Sequence, residues 1–278
     1  MTPPFVTRFA PSPTGFAHLG HAFSAITAHD AARRTGGTFL LRIEDIDFGR
    51  CRPHFETALL EDLAWLGLKW EMPVRRQSDH MGDYARALAT LKDRGLTYRC
   101  FRTRAQVAAR AASAPHGPVF PEVGGRLGSD QEQALLSQGL PFAWRLDLGA
   151  ALAAVKGAAD LTFDDDESGL QHLEPTLIGD VVLGRKDGGV AYHLAVVVDD
   201  ALQGVSHVVR GSDLLEAAHA QRLLQALLGL PTPQYHHHRL ILGLDGKRLT
   251  KRDKSQSLRD MRTGGATPNQ IRQALGLV

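Results

Sequence analysis

The chain has 278 residues, 43% of them hydrophobic and 22% charged, the make-up of a globular protein with room for one large domain or a domain with an insertion. No run approaches membrane-spanning length, no charged-then-apolar leader opens the sequence, and only Cys51 and Cys100 could pair, which excludes a disulfide framework; a cytoplasmic protein with no membrane partner is expected. The net charge of +2 at pH 7 suits a nucleic-acid partner without demanding one, but eight Lys/Arg against three Asp/Glu fall between Arg239 and Arg262, a local cationic patch.

Phe5 to Ala10 reads as a short strand, Pro11-Ser12-Pro13-Thr14-Gly15 as a turn, and His18-Leu19-Gly20-His21 as the opening of a helix with Leu19, Phe23 and Ile26 on its buried face. A strand, a turn and a helix N-terminus make a natural phosphate site, because unpaired N–H groups and the positive end of the helix dipole face the turn. Gly20 would let a flat ligand lie against the backbone. His18 and His21, three apart, share the first helical turn and can donate to a phosphorus centre. Arg33 to Gly37 stops the helix, and Thr38 to Ile43 reads as a central parallel strand. This βαβ unit predicts an α/β fold with a doubly wound parallel sheet, whose ligands sit beyond the carboxyl ends of the strands. Glu44 then stands at a crevice edge, suited to hold an ammonium group, while turn and helix-cap chemistry is open to Asp45 and Asp47 and is the reading taken for Asp47.

Pro53 begins a helix carrying Leu59, Leu60, Leu63 and Leu66 as far as Gly67, and Ser78 reads as the cap of another running to about Arg94. From Cys100 to Gly179 the pattern loosens. Pro141 to Leu148 and Leu161 to Asp164 read as strands, and Asp164-Asp165-Asp166-Glu167 as a solvated hairpin turn. Asp180 to Leu183 and Val190 to His193 read as two strands flanking a turn, followed by a helix. Gly204 to Arg210 reads as a buried strand, and Ser212 or Asp213 as the cap of a helix that Leu230-Pro231-Thr232-Pro233 breaks. His236-His237-His238 reads as strand rather than metal site, because adjacent strand residues point to opposite faces. Thr267 to Leu275 reads as a last short helix.

Three stretches together resemble the class I aminoacyl-tRNA synthetases of the glutamate subgroup: His18-Leu19-Gly20-His21, Leu41-Arg42-Ile43-Glu44-Asp45-Ile46-Asp47, and Gly246-Lys247-Arg248-Leu249-Thr250-Lys251-Arg252-Asp253. The first corresponds to that family's HIGH signature and the last to its KMSKS signature, and the resemblance runs from about Arg8 to about Leu258. It implies a Rossmann-like catalytic domain in two halves, 1–99 and 180–235, an inserted α+β acceptor-domain-like subdomain at 100–179, and a KMSKS-type loop with C-terminal helices at 236–278, without an anticodon-binding domain. It implies activation of an amino acid by ATP with Mg²⁺. His18 and His21 would serve catalysis at the α-phosphate and Lys251 at the leaving phosphates, with Gly20, Arg248 and Thr250 completing the ATP contacts. Arg248 stands where the family has the first lysine of its signature, a charge-conserving change with different geometry. The substrate implied is L-glutamate, its carboxylates on Arg8 and Arg210, its amine on Glu44, with Tyr192, Ser12 and Ala10 lining the pocket.

The family's insert often binds zinc through a Cys-x-Cys pair, a tyrosine and a further cysteine. Here Cys100 is followed by Phe101-Arg102, and Phe120 to Arg126 supplies no thiolate, so no zinc is expected. Residues 254–278 are all that follow the KMSKS-type stretch. That brevity resembles a paralogous branch whose members place glutamate on the queuosine base in the anticodon of tRNA(Asp). A monomer with that anticodon loop as its partner is expected, activating glutamate without tRNA. The alternatives are a shortened synthetase charging a tRNA 3′ end and a non-catalytic regulatory paralogue. A pantothenate-synthetase-like ligase is also weighed, but its pocket would not need both Arg8 and Arg210.

Overall fold

The computed structural model describes residues 4–103, 106, 125–241 and 256–277. Ten strands form two sheets. The larger sheet contains β1 (Val6–Phe9), β2 (Thr38–Ile43), β3 (Glu71–Arg76), β6 (Thr162–Asp165), β7 (Gly169–His172), β9 (His207–Gly211) and β10 (Gln234–His238), in the order β3-β2-β1-β9-β10-β6-β7. The pairings are parallel except for β6 with β7, so this is the doubly wound α/β sheet expected from the first βαβ unit. The smaller sheet is antiparallel and joins β4 (Thr97–Cys100), β5 (Ala143–Leu146) and β8 (Val182–Gly184).

Helix α1 (Leu19–Arg34) crosses from β1 to β2, with Phe23 and Ile26 buried as their spacing requires. The same cluster takes Leu59 and Leu63 from α2 (Pro53–Trp65). It also takes Leu258 from α8 (Leu258–Thr263) and Ile271 and Leu275 from α9 (Pro268–Leu275). Ile26 has no solvent exposure, so truncating it to alanine costs about 2–5 kcal/mol. A second cluster combines Tyr84 and Leu91 of α3 (Met81–Asp93) with Leu194, Val196 and Val197 of α6 (Tyr192–Leu202) and Leu223 and Leu224 of α7 (Leu215–Leu228). Two shorter helices, α4 (Ser129–Ser137) and α5 (Leu148–Ala154), accompany the smaller sheet. No helix of the described residues is long and apolar enough to cross a membrane.

Several local expectations differ from the structure. Ser78 does not cap α3. It lies in a short 3-10 helix, Gln77–His80, where its N–H and hydroxyl both donate to Asp45 (2.9 and 2.6 Å). Asp45 therefore ties the end of β2 to the start of α3. Val190 to His193 is not a strand: Val190 makes a lone bridge to Gly184, and helix α6 begins at Tyr192. A short mostly apolar stretch fits a core strand and the start of a core helix alike, so Val190-Ala191-Tyr192-His193 gave no boundary. β3 was not foreseen, because it is an exposed edge strand whose Pro73 interrupts the pattern. β6, expected as a strand at Leu161–Asp164 within the 100–179 insert, extends the larger sheet together with β7, which has no counterpart in the sequence reading. β4 and β8, which lie mostly outside that span, complete the smaller one. Strand partners are set by long-range pairing, which local periodicity does not encode.

Candidate functional site

The carboxyl ends of β1, β2, β9 and β10 open into one cavity of about 580 Å³. It lies where the chain turns from β1 one way to β2 and the other way to β9, the place such sheets bind ligands. The turn after β1 is fastened to β2 by the Glu44 N–H donating to the Pro11 carbonyl (3.0 Å).

Helix α1 is capped by histidines. His18 is the N-cap, and its Nδ1 accepts the Gly20 N–H at 3.1 Å; the His18 N–H in turn donates to Nδ1 of His21 at 3.3 Å. Because each Nδ1 accepts, each neutral ring carries its proton on Nε2. The two rings lie 4.0 Å apart at the cavity wall. Gly20 has a role beyond admitting a flat ligand: a Cβ there would stand 3.0 Å from Cε1 of His18, so a side chain would push the cap out of place.

On one side of the cavity lies a buried charge network. Arg8, 3% exposed, donates through Nε and Nη2 to the two oxygens of Asp200 (3.0 and 3.4 Å). Arg42, fully buried, donates to the same Asp200 at 2.8 Å, to Gln203 at 2.9 Å and to Glu44 at 3.3 Å. Asp199 accepts from Arg75 (2.7 Å), Gln77 (2.8 Å) and Tyr84 (2.9 Å). Burial by itself raises the pKa of Asp200, but Arg8 and Arg42 hold it below the ordinary carboxylate value. Glu44 goes the other way: burial pushes its pKa up, against the pull of Arg42 and Arg8.

Across the cavity, Arg210 is 5% exposed, and its environment differs. Its Nε donates to Nε2 of His237 (3.0 Å), Nη1 to Gln221 (2.9 Å) and the Tyr192 hydroxyl (3.4 Å), and Nη2 to the Leu214 carbonyl (3.1 Å). All four acceptors are uncharged. The guanidinium also lies 5.2 Å from the centre of the Tyr235 ring. A buried cation held by neutral groups and open to a cavity is suited to receive an anion.

The cavity thus gathers Arg8, Ala10, Ser12, His18, Gly20, His21, Glu44, Tyr192 and Arg210, every predicted site residue within the described range. Arg248, Thr250 and Lys251 lie outside the described residues. The flanks of their segment are placed, however. Ile241 lines the cavity, and the Leu258 N–H donates to the Ala17 carbonyl (2.8 Å), just before α1. Sequence reasoning gave no role to Arg42, Asp199, Asp200, His237 or Gln221. A signal existed for the first three: an arginine inside the apolar strand Thr38–Ile43, and two aspartates at the end of an apolar helix, must be paired if buried. Among the described residues no group of three or more His, Cys, Asp or Glu could hold a metal ion, and both cysteines are free thiols.

The chain matches the family model for the catalytic domain of class I tRNA synthetases (E and Q) over residues 4–278 and belongs to that family. Within it, the chain is 49% identical over 280 residues to the glutamyl-Q tRNA(Asp) synthetase of Rhodobacter capsulatus, a match covering 98% of this chain and 100% of the relative. It is 42% identical over 277 residues to the protein of the same name from Symbiobacterium thermophilum, covering 95% and 83% of the two chains. A glutamate–tRNA ligase 2 from Nitrosococcus oceani is 37% identical, and the match spans 57% of that longer protein. Among solved structures, a glutamate tRNA ligase from Elizabethkingia meningosepticum in complex with its amino acid aligns with a TM-score of 0.78 at 26% identity, covering 98% of this chain and 60% of that one.

Proposed function

We propose that the protein is a ligase that activates L-glutamate with ATP and Mg²⁺, without tRNA, and transfers it to the queuosine base in the anticodon of tRNA(Asp). The observation that carries the glutamate assignment is Arg210, a buried guanidinium whose direct partners are neutral and which opens on the cavity. An amino acid with a second carboxylate supplies the missing anion. The branch assignment rests on the two relatives named glutamyl-Q tRNA(Asp) synthetase, matched over 100% and 83% of their lengths.

In the first step an oxygen of the glutamate α-carboxylate attacks the α-phosphorus of ATP. The bond from that phosphorus to the bridging oxygen breaks, and pyrophosphate leaves. The catalytic task is to position two anions and to spread charge in the transition state. Glu44 holds the amine, Arg210 the side-chain carboxylate, and Arg8 makes a second carboxylate contact, with Ala10, Ser12 and Tyr192 shaping the pocket. The Nε2–H groups of His18 and His21 donate to the α-phosphate, beside the N-terminus of α1. Lys251 clamps the leaving phosphates, with Arg248 and Thr250, from a segment whose flanking residues both adjoin the site. In the second step a hydroxyl of the queuosine cyclopentene diol attacks the adenylate carbonyl, AMP leaves, and an ester forms on a diol that mimics a terminal ribose.

The inserted subdomain (100–179) and the basic stretch Arg239–Arg262 are assigned to holding the anticodon loop, which makes transfer weaken as salt rises. We keep the division into a split catalytic domain and an inserted subdomain, and expect a monomer without bound zinc. The test is labelled glutamate offered with tRNA(Asp) from queuosine-replete cells and with the same tRNA lacking the modification. Label on the modified tRNA alone supports the reading. Efficient charging of unmodified tRNA(Glu) at its 3′ end replaces it with a shortened glutamyl-tRNA synthetase.

A further inference from the structure

Three adjacent strands of the larger sheet, β9, β10 and β6, each contribute one buried residue to a single line of hydrogen bonds. His237 is the register partner of Arg210, and Tyr235, two residues earlier on β10, is the partner of Asp165 at the end of β6. Arg210 donates from Nε to Nε2 of His237 at 3.0 Å, and Nδ1 of His237 lies 2.5 Å from Oδ2 of Asp165. The arginine nitrogen can only donate, so Nε2 of His237 must accept, and its proton sits on Nδ1, directed to Asp165. The carboxylate is itself fixed. Its Oδ1 accepts the N–H groups of Glu167 and Ser168 and the Ser168 hydroxyl, and Oδ2 accepts the His237 N–H. The Tyr235 ring lies parallel to that of His237, 5.4 Å between centres, with Arg210 over it.

We propose that His237 is a positioning residue for the substrate, holding the Arg210 guanidinium at the angle a carboxylate needs, and that Asp165 fixes the histidine tautomer that makes this possible. This rests on the reading of Arg210 as the carboxylate receptor. The arrangement solves a conflict. A carboxylate placed directly on Arg210 would orient it but would offset much of the charge the substrate needs. A neutral imidazole between the two transmits the orientation and keeps the carboxylate one ring away. Burial and the Arg210 charge together bring the His237 pKa down to about 4, so the ring is neutral at working pH. The acidic turn at Asp164–Glu167 is therefore more than a solvated hairpin, because Asp165 is buried within it.

The test compares His237→Phe, His237→Gln, Asp165→Asn and Arg210→Met in ATP–pyrophosphate exchange. His237→Phe removes the acceptor and is expected to raise the glutamate KM about tenfold or more, with kcat and the ATP KM within about threefold, since one hydrogen bond to a charged group is worth about 1.5–3 kcal/mol. Glutamine can accept from Arg210 and donate to Asp165, so His237→Gln should recover most of that loss. Asp165→Asn permits the wrong tautomer and should shift the glutamate KM in the same direction. A purely structural role for His237 would move both KM values and would not be rescued by glutamine. If Arg210→Met raises the glutamate KM while His237→Phe leaves it unchanged, the positioning role is wrong and the receptor stands. If Arg210→Met leaves it unchanged, the receptor reading falls and this proposal with it. Should His237→Phe not fold, a ¹⁵N–¹H spectrum of the wild-type histidine rings decides: a proton on Nδ1 of His237 supports the proposal, and one on Nε2 overturns it.

Discussion

Two buried arginines face one cavity, and the chain treats them differently. Arg8 is gripped by Asp200, a carboxylate it shares with Arg42. Arg210 is gripped by an imidazole, an amide, a phenol and a backbone carbonyl. The Arg8 wall is thus paired with a carboxylate before any ligand arrives, while the Arg210 guanidinium is held by neutral groups alone, which leaves its charge for the substrate anion of the proposed function. Removing one member of a buried ion pair costs stability, whereas a cation held by neutral groups is a cost the fold carries for binding.

That contrast can be broken at several points, in decreasing order of expected effect. Asp200→Asn removes the carboxylate that Arg8 and Arg42 share, leaving Arg42 with Glu44 and Asp199, and is expected to lower unfolding stability by about 3–5 kcal/mol in urea titrations. Arg210→Met should lose less stability than that; equal losses would erase the distinction between the two walls.

Acid should act on the Arg210 side. His237 and His193 both have pKa values lowered to about 4, by burial first and by the Arg210 charge second. Below the ordinary histidine value of 6.5 the unfolded chain takes up protons that the folded one refuses. Stability is therefore level above about pH 6.5 and falls between there and pH 4, by on the order of 1–2 kcal/mol per histidine at pH 5. Urea midpoints at pH 7 and pH 5 measure this, and His237→Gln should remove that residue's share.

The smallest effect concerns the α1 cap. Gly20→Ala puts a methyl group against the His18 ring and should lower kcat for exchange by about tenfold or less, with stability changed by about 1 kcal/mol, the range of a disturbed cap. An unchanged kcat would detach the His18 geometry from catalysis.

Much of this was legible in the sequence. The strand-turn-helix opening put His18, Gly20 and His21 at the start of α1, where they line the cavity, because such a turn is a local feature written in contiguous residues. Glu44 was legible from its position just past an apolar strand. The partners that tune these groups were not. Asp200 on α6 reaches Arg8 across 192 residues of sequence and Asp165 on β6 reaches His237 across 72, contacts that only the assembled fold creates. The three consecutive histidines were rightly read as strand residues whose side chains diverge. That divergence leaves His237 with Arg210 and gives His238 to Ser24, at 2.8 Å. The failed reading of Val190–His193 has the same origin, since a helix buried on most sides and a core strand share one composition.

The most direct test of the account is the glutamate KM of Arg210→Met in ATP–pyrophosphate exchange, measured beside the wild type and with glutamine as competing substrate. Removing the guanidinium that the account pairs with the substrate's side-chain carboxylate costs about 2–5 kcal/mol, so the account predicts a glutamate KM at least about 30-fold higher, an ATP KM within about threefold of wild type, and little wild-type exchange with glutamine. Equal rises in both KM values, or wild-type exchange that runs as well on glutamine as on glutamate, would contradict it.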